Sequence, residues 1–212
     1  MSDSRRRGQL RLKALLEHNE AKGEEMAKQR SRFQSLATDE ARPRIVTAFN
    51  LFQTPPELAA RMVELAGDLS GRIREPSAGL GRIYRAIRDR TDSDVTLVEQ
   101  SADCCGELFA SASNARLIQG DFLACDVDRL GGRFDRVIMN PPFKQGRDVK
   151  HVRHAVNMLK HGGVMVALCY DGARQQCLRN EASHWEQIPA GTFEGTRAAS
   201  VLLTIQTFGR PE

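Results

Sequence analysis

Phe134-Asp135-Arg136-Val137-Ile138-Met139-Asn140-Pro141-Pro142-Phe143 decides how the rest of the chain is read, because an apolar run ends abruptly in an amide and two prolines. Proline has no N–H to give a β-ladder, so a central strand cannot continue through it. The strand therefore stops at Met139 and leaves the Asn140 amide, the Pro141 carbonyl, Pro142 and the Phe143 ring at its end. An acceptor amide, a carbonyl fixed by proline and an aromatic face can hold a flat molecule that carries an NH2 group.

Toward the N-terminus, Glu75-Pro76-Ser77-Ala78-Gly79-Leu80-Gly81 joins a short strand starting near Ile73 to a helix predicted over 82–90. Gly79 and Gly81 let the backbone pass close to a ligand, and the helix start behind them offers free N–H groups. The third glycine of the dinucleotide fingerprint is missing, as is the Gly-Lys-Ser/Thr ending of a phosphate loop, so alone the loop is an ordinary turn signal. The next strand, Val95 to Val98, ends in Glu99, about 20 residues beyond the glycines, where an acid at a strand end can take both ribose hydroxyls. A helix over 102–112 and a strand over 115–119 follow, then Gly120-Asp121-Phe122. Asp121 can accept from an exocyclic amine and Phe122 can cover a purine ring.

Upstream, Thr54-Pro55-Pro56-Glu57 has the form of a capping box, with Thr54 as cap and Pro55 first in a helix running to about Ala66. Downstream, Val149, Val152, Ala155, Val156 and Leu159 predict a helix over 148–161 that Gly162-Gly163 closes. Val164 to Cys169 is a continuous apolar run, as in a strand buried on both faces. A helix over 171–182 and two strands, 185–188 and 199–208, complete the chain. The glycine-rich loop between those strands holds Phe193 and Arg197 and leaves no room for a helix.

Strands alternating with helices, then a strand pair without one, describe a mostly parallel α/β three-layer sheet with one antiparallel strand near its edge. Ligands bind beyond the carboxyl ends of the parallel strands in such sheets. The glycine loop, Glu99, Asp121 and Asn140 are all placed there, and the reversal of direction brings Phe193 and Arg197 to the substrate mouth.

Composition narrows the class. The 212 residues are 41% hydrophobic and 27% charged, values of a globular protein, and no apolar run approaches the roughly 20 residues that span a bilayer. The N-terminal arginines have no apolar block behind them, so no secretory signal is expected, and neither is a membrane partner; the expected location is cytoplasmic. Five cysteines, two of them adjacent, match neither a disulfide framework nor metal-ligand spacing. The net charge of +4 resides wholly in residues 1–47, which carry eleven Lys/Arg and seven Asp/Glu. Residues 1–44 read as a basic helical arm on a main domain of residues 45–212, and a basic arm suits an acidic partner such as nucleic acid.

In this order, Phe52-Gln53-Thr54-Pro55, Glu75 to Gly81, Glu99, Asp121 and Asn140-Pro141-Pro142-Phe143 resemble class I S-adenosylmethionine-dependent amino-methyltransferases, most of all the gamma-type adenine-N6 DNA methyltransferases. The resemblance covers roughly residues 49–208. It implies a Rossmann-like sheet of seven strands, S-adenosyl-L-methionine as cofactor and DNA as partner. Phe52, Thr54 and the loop Glu75, Pro76, Ser77, Ala78, Gly79 and Gly81 would hold the methionine end, Glu99 the ribose, Asp121 and Phe122 the adenine. Asn140 and the Pro141 carbonyl would accept hydrogen bonds from the target amine beside the cofactor while Phe143 stacks on the base. Lys144 and Arg147 are expected at substrate phosphates. Related tetrapeptides serve protein glutamine, cytosine N4 and RNA guanine N2, and a silent assembly subunit would keep the same fold. Only 18 residues separate Asp121 from Asn140, so sequence readout must come from the N-terminal helix, the Lys144 to Lys150 loop, the late glycine-rich loop, or a homodimer or specificity partner engaged through the N-terminal helix.

Overall fold

The computed structural model describes residues 53–193 and 199–208. The basic arm and any pairing through it, Phe52 and Arg197 lie outside these residues. Helix α1 (Pro56–Leu65) precedes β1 (Arg72–Pro76), followed by α2 (Arg82–Arg88), β2 (Asp94–Glu99), α3 (Ala102–Ser111) and β3 (Ala115–Gln119). Strand β4 (Phe134–Met139), α4 (Arg147–Val156), β5 (Leu159–Tyr170), β6 (His184–Ile188) and β7 (Ser200–Gln206) complete the order. The seven strands form one sheet in the order β3-β2-β1-β4-β5-β7-β6. Strands β1 to β5 pair in parallel, and β7 runs antiparallel between β5 and the edge strand β6. This is the expected Rossmann-like sheet with its one antiparallel strand.

Two apolar clusters make the layers. On one face Leu58, Met62 and Val63 of α1, Ile83 and Ile87 of α2 and Leu108 of α3 pack on Ile73, Leu97, Ile138 and Val166. On the other, Val152 and Ala155 of α4 pack with Val137, Met139, Met165 and Leu203, while Leu130 and Phe134 fill the side that no long helix covers. Arg74 is fully buried there, its guanidinium 3.6 Å from the centroid of the Phe134 ring. Strand order reverses between β1 and β4, which opens a crevice at their carboxyl ends.

Three local expectations are corrected. Pro55, not Thr54, precedes the first helical residue of α1, and no side chain caps this helix; the Thr54 hydroxyl is engaged elsewhere. Helix α4 ends at Val156 rather than His161, because Leu159 pairs with Phe134 in the sheet and Phe134 N–H bonds to the Met158 carbonyl. Gly162 and Gly163 then form a bulge inside β5, with Gly162 at φ 73. Residues 171–182 hold only a short 3-10 turn, Gln175–Leu178, because Asp148 Oδ2 accepts from both Tyr170 N–H (3.1 Å) and Gln175 Nε2 (2.7 Å) and pulls the chain onto α4. Four of the five cysteines are buried free thiols and Cys177 is exposed.

Candidate functional site

A cleft of about 470 Å³ opens at the carboxyl ends of β1, β2, β3 and β4. Thr54, Glu75, Ser77, Ala78, Gly79, Glu99, Asp121, Phe122, Asn140, Pro141, Pro142 and Arg147 all line it. Pro76, Gly81, Phe143 and Lys144 do not. Pro76 is the last residue of β1 and Gly81 starts α2 at φ 73, where an added Cβ would meet Leu108 Cδ2 at 2.9 Å. Phe143 packs partly against the core, with its ring 6.5 Å from that of the 43% exposed Tyr170. Lys144 is exposed beside it. Phe193 is buried in the core rather than placed at a mouth, because its ring joins the apolar cluster of Ile188, Leu168 and Leu202.

The loop after β1 is tied from beneath. Ala78 N–H bonds to the Val98 carbonyl at 3.0 Å, and Gly79 N–H donates to Glu99 Oε2 at 2.7 Å. Glu99 Oε1 accepts from Ser101 N–H, also at 2.7 Å. One carboxylate therefore joins the glycine loop to the start of α3, and each oxygen keeps a second lone pair to offer to hydroxyls. Asn140 Nδ2 donates to Thr54 Oγ1 at 3.1 Å. That bond fixes the amide's orientation and defines its carbonyl end as the acceptor for an amine.

Asp121 receives both Arg147 Nη2, at 2.9 Å to each oxygen, and Leu123 N–H at 3.1 Å. Burial opposes its charge, yet the hydrogen bonds from Arg147 and Leu123 and the Arg147 charge outweigh that and hold its pKa below the ordinary carboxylate value. Arg147, expected at a phosphate, thus sits inside the cleft as the partner of Asp121. Oδ2 carries one donor where Oδ1 carries two, so an incoming exocyclic amine has a lone pair to meet.

Glu75 is only 1% exposed, and its Oε2 has no hydrogen-bond partner among the described residues. Burial, reinforced by the nearby Glu99 charge, raises its pKa well above the ordinary value despite a backbone hydrogen bond from Tyr84 and the charge of Arg85. The folded state therefore holds a proton that the unfolded state releases above about pH 4.5. Stability attached to this group is complete below that pH and declines as pH rises toward the folded pKa. Glu75→Gln should accordingly melt close to wild type at pH 4 and at a higher temperature than wild type at pH 7.5. Equal melting temperatures at both pH values would show that Glu75 is ionised in the fold.

Sequence reasoning assigns no role to Gln53, quoted only within a motif, or to Ile83, Gln100, Asp103 and His151, all of which also line the cleft. His151 was legible in principle: it lies one helical turn from Arg147 and beside Val152 and Ala155 on the buried side of α4. An apolar helix face that includes one histidine aimed at a strand end is the signal.

The sequence profile of the methyltransferase small domain matches residues 58–188, more than half of the chain. The chain belongs to the methyltransferase small domain family. It is an S-adenosylmethionine-dependent methyltransferase. A curated relative, the rRNA N(6)-adenosine-methyltransferase metl-5 of Caenorhabditis elegans, is 24% identical over 154 residues, covering 66% of this chain and 72% of the relative. A provisionally named RNA methyltransferase from Pyrococcus horikoshii superposes with a TM-score of 0.63 at 18% identity, over 86% of this chain and 98% of that one. An RNA methyltransferase from Salinibacter ruber, solved with S-adenosyl-L-homocysteine, gives 0.55 at 16% identity, over 76% and 96%. These two structures establish the fold.

The matches to this family and to a relative that acts on RNA overturn the assignment to gamma-type adenine-N6 DNA methyltransferases, and with it DNA methylation and DNA as partner. The short connection between Asp121 and Asn140 agrees with the correction. It holds one 3-10 turn, Phe122–Ala124, and a loop packed on the sheet through Leu130, with no inserted DNA-reading region.

The cofactor of this methyltransferase is S-adenosyl-L-methionine, and the cleft fits it. The volume lies within the roughly 300 to 1,000 Å³ of small-molecule sites. Carboxylates at the ends of β2 and β3 suit hydroxyls and an amine, Phe122, Val98 and Ile83 offer apolar surface for a purine, and the glycine loop offers close backbone approach. Among the described residues, no helix is long and apolar enough to cross a membrane.

Proposed function

We propose that the chain transfers a methyl group to the N6 amine of an adenosine in RNA. The observation that carries this reading is the Asn140–Thr54 hydrogen bond. It presents an acceptor amide, next to Pro141 and Pro142, in the same cleft as Gly79, Glu99 and Asp121. The similarity to a relative named for rRNA adenosine N6 methylation supplies the acceptor class.

In this reading Thr54 and the Ser77–Gly79 loop hold the amino-acid end of the cofactor, Glu99 the ribose hydroxyls, and Asp121 with Phe122 the adenine. The bound cofactor supplies a methyl group on a positively charged sulfur. Asn140 Oδ1 and the Pro141 carbonyl accept the two hydrogens of the adenosine amine and draw the nitrogen lone pair out of conjugation with the ring. The same oxygens stabilise positive charge as it grows on nitrogen, so rate comes from positioning and electrostatics without a covalent enzyme intermediate. Phe143 and Tyr170 form an aromatic pair beside the cleft on which an unstacked base can rest. An unpaired or loop adenosine suits this arrangement, since a stacked base must first be extruded.

Residues 1–44, a basic appendage before a methyltransferase domain of residues 45–212, would add phosphate contacts. The enzyme would work in the cytoplasm, beside ribosomal RNA.

The test is acceptor profiling with methyl-tritiated cofactor. Ribosomal RNA lacking the modification should take label, and nuclease digestion should return it as N6-methyladenosine. Label on another nucleoside, on protein glutamine, or on DNA with RNA unlabelled would overturn the assignment.

A further inference from the structure

Ser77 is one of two non-glycine residues at positive φ among those described, with φ 66, and it lies in the loop that lines the cleft. An L-residue in this region is strained and persists where surrounding contacts over-determine it. The backbone here is tied by the Ala78 and Gly79 hydrogen bonds, and the Ser77 side chain meets His151, whose Nδ1 is 3.4 Å from Ser77 Oγ across 74 residues of sequence. The imidazole is 2% exposed and its ring centroid is 5.5 Å from that of Phe122. Burial and the nearby Arg147 charge push its pKa down to about 4 against the opposing charge of Asp121. The ring is therefore neutral near pH 7 and carries one proton.

The position of that proton follows from the far side of the ring. His151 Nε2 is buried with no hydrogen-bond partner among the described residues. A buried orphan N–H is rarer than an under-used acceptor, since a donor without a partner loses its whole hydration. We therefore assign the proton to Nδ1, which then donates to Ser77 Oγ. The serine hydroxyl, with its oxygen occupied as acceptor, must send its own hydrogen elsewhere.

We propose that His151 is a positioning residue that fixes the Ser77 side chain and turns the serine hydroxyl into the cleft as a dedicated donor to the carboxylate of the cofactor's amino-acid end. The inference rests on the cofactor reading above. Ser77 follows β1, between Glu99 at the end of β2 and Asn140 after β4, which places it past the ribose-binding carboxylate and beside the point of transfer. A donor in that position favours an anionic oxygen and disfavours a cation, so it selects the carboxylate over the sulfonium or ammonium of the same ligand.

The experiment uses two ligands that differ only in that end. S-adenosylhomocysteine retains the amino acid and 5′-methylthioadenosine lacks it; both dissociation constants are read by calorimetry on the full chain. Ser77→Gly and His151→Phe should each weaken S-adenosylhomocysteine about tenfold and leave 5′-methylthioadenosine within twofold. The double variant should be no weaker than the worse single one, because both changes remove one unit. Glycine adopts the positive φ without strain, so the Ser77→Gly variant tests the contact even where His151→Phe fails to fold. Losses that multiply, losses equal for both ligands, or a His151→Phe chain that binds S-adenosylhomocysteine like wild type would overturn the proposal. A wild-type chain that binds neither ligand would overturn the cofactor reading along with it.

Discussion

Asn140→Ala is expected to lower the single-turnover rate of methyl transfer about 1,000-fold while S-adenosylhomocysteine affinity stays within about threefold of wild type, the scale seen when one transition-state hydrogen-bonding group is removed. The substitution deletes the acceptor that meets the substrate amine and releases the Thr54 hydroxyl, its partner at 3.1 Å. Asn140→Asp separates the two roles of the amide. The carboxylate keeps an acceptor toward the amine and takes a hydrogen bond from Thr54 in place of giving one, so this variant should retain more activity than alanine. Transfer by Asn140→Ala within tenfold of wild type would remove the side chain from the mechanism, and a parallel collapse of cofactor affinity would make it a structural pin.

The parts of the fold that were legible are those decided by local chemistry. The strands at Ala115–Gln119 and Phe134–Met139 are cut off by Gly120 and by Asn140-Pro141, and they lie where the sequence puts them. The misread parts are those where a distant residue claims a group that local reasoning had already assigned. Thr54 looks like a cap until Asn140, 86 residues away, takes its hydroxyl. Leu159 continues a helical period, but pairing with Phe134 across the sheet outweighs the last turn of that helix. Residues 171–182 have helical composition, yet Asp148 captures Tyr170 and Gln175 and leaves one tight turn. The same logic runs through the candidate site. Residues read from strand ends converge, because a parallel sheet puts every such end on one edge. The Arg147–Asp121 pair and His151 depend on how α4 lies against that edge, which no motif encodes. The sequence reading led to DNA because Asn140 to Phe143 addresses an amine, and an adenine amine is the same in DNA and in RNA.

Glu99→Gln is expected to weaken S-adenosylhomocysteine about 100-fold, nearly as much as Glu99→Ala, although it is isosteric with the native residue. The reason lies beneath the cleft rather than in it. Both Glu99 oxygens accept short backbone hydrogen bonds, from Gly79 and from Ser101. Glutamine offers one oxygen and one NH2 group, so whichever way the amide turns, a donor faces a backbone donor. A charge-assisted hydrogen bond of this kind contributes about 1.5 to 3 kcal/mol, and a buried N–H left without an acceptor costs a comparable amount. Tenfold in affinity corresponds to about 1.4 kcal/mol, so one lost anchor and a displaced Gly79 loop account for two decades. If Glu99 served only ribose hydroxyls, glutamine would keep an acceptor and a donor for them and the loss would stay within about tenfold. Calorimetry on wild type, Glu99→Gln and Glu99→Ala separates the two, and a glutamine variant close to wild type would mean that the glycine loop holds its shape without the carboxylate.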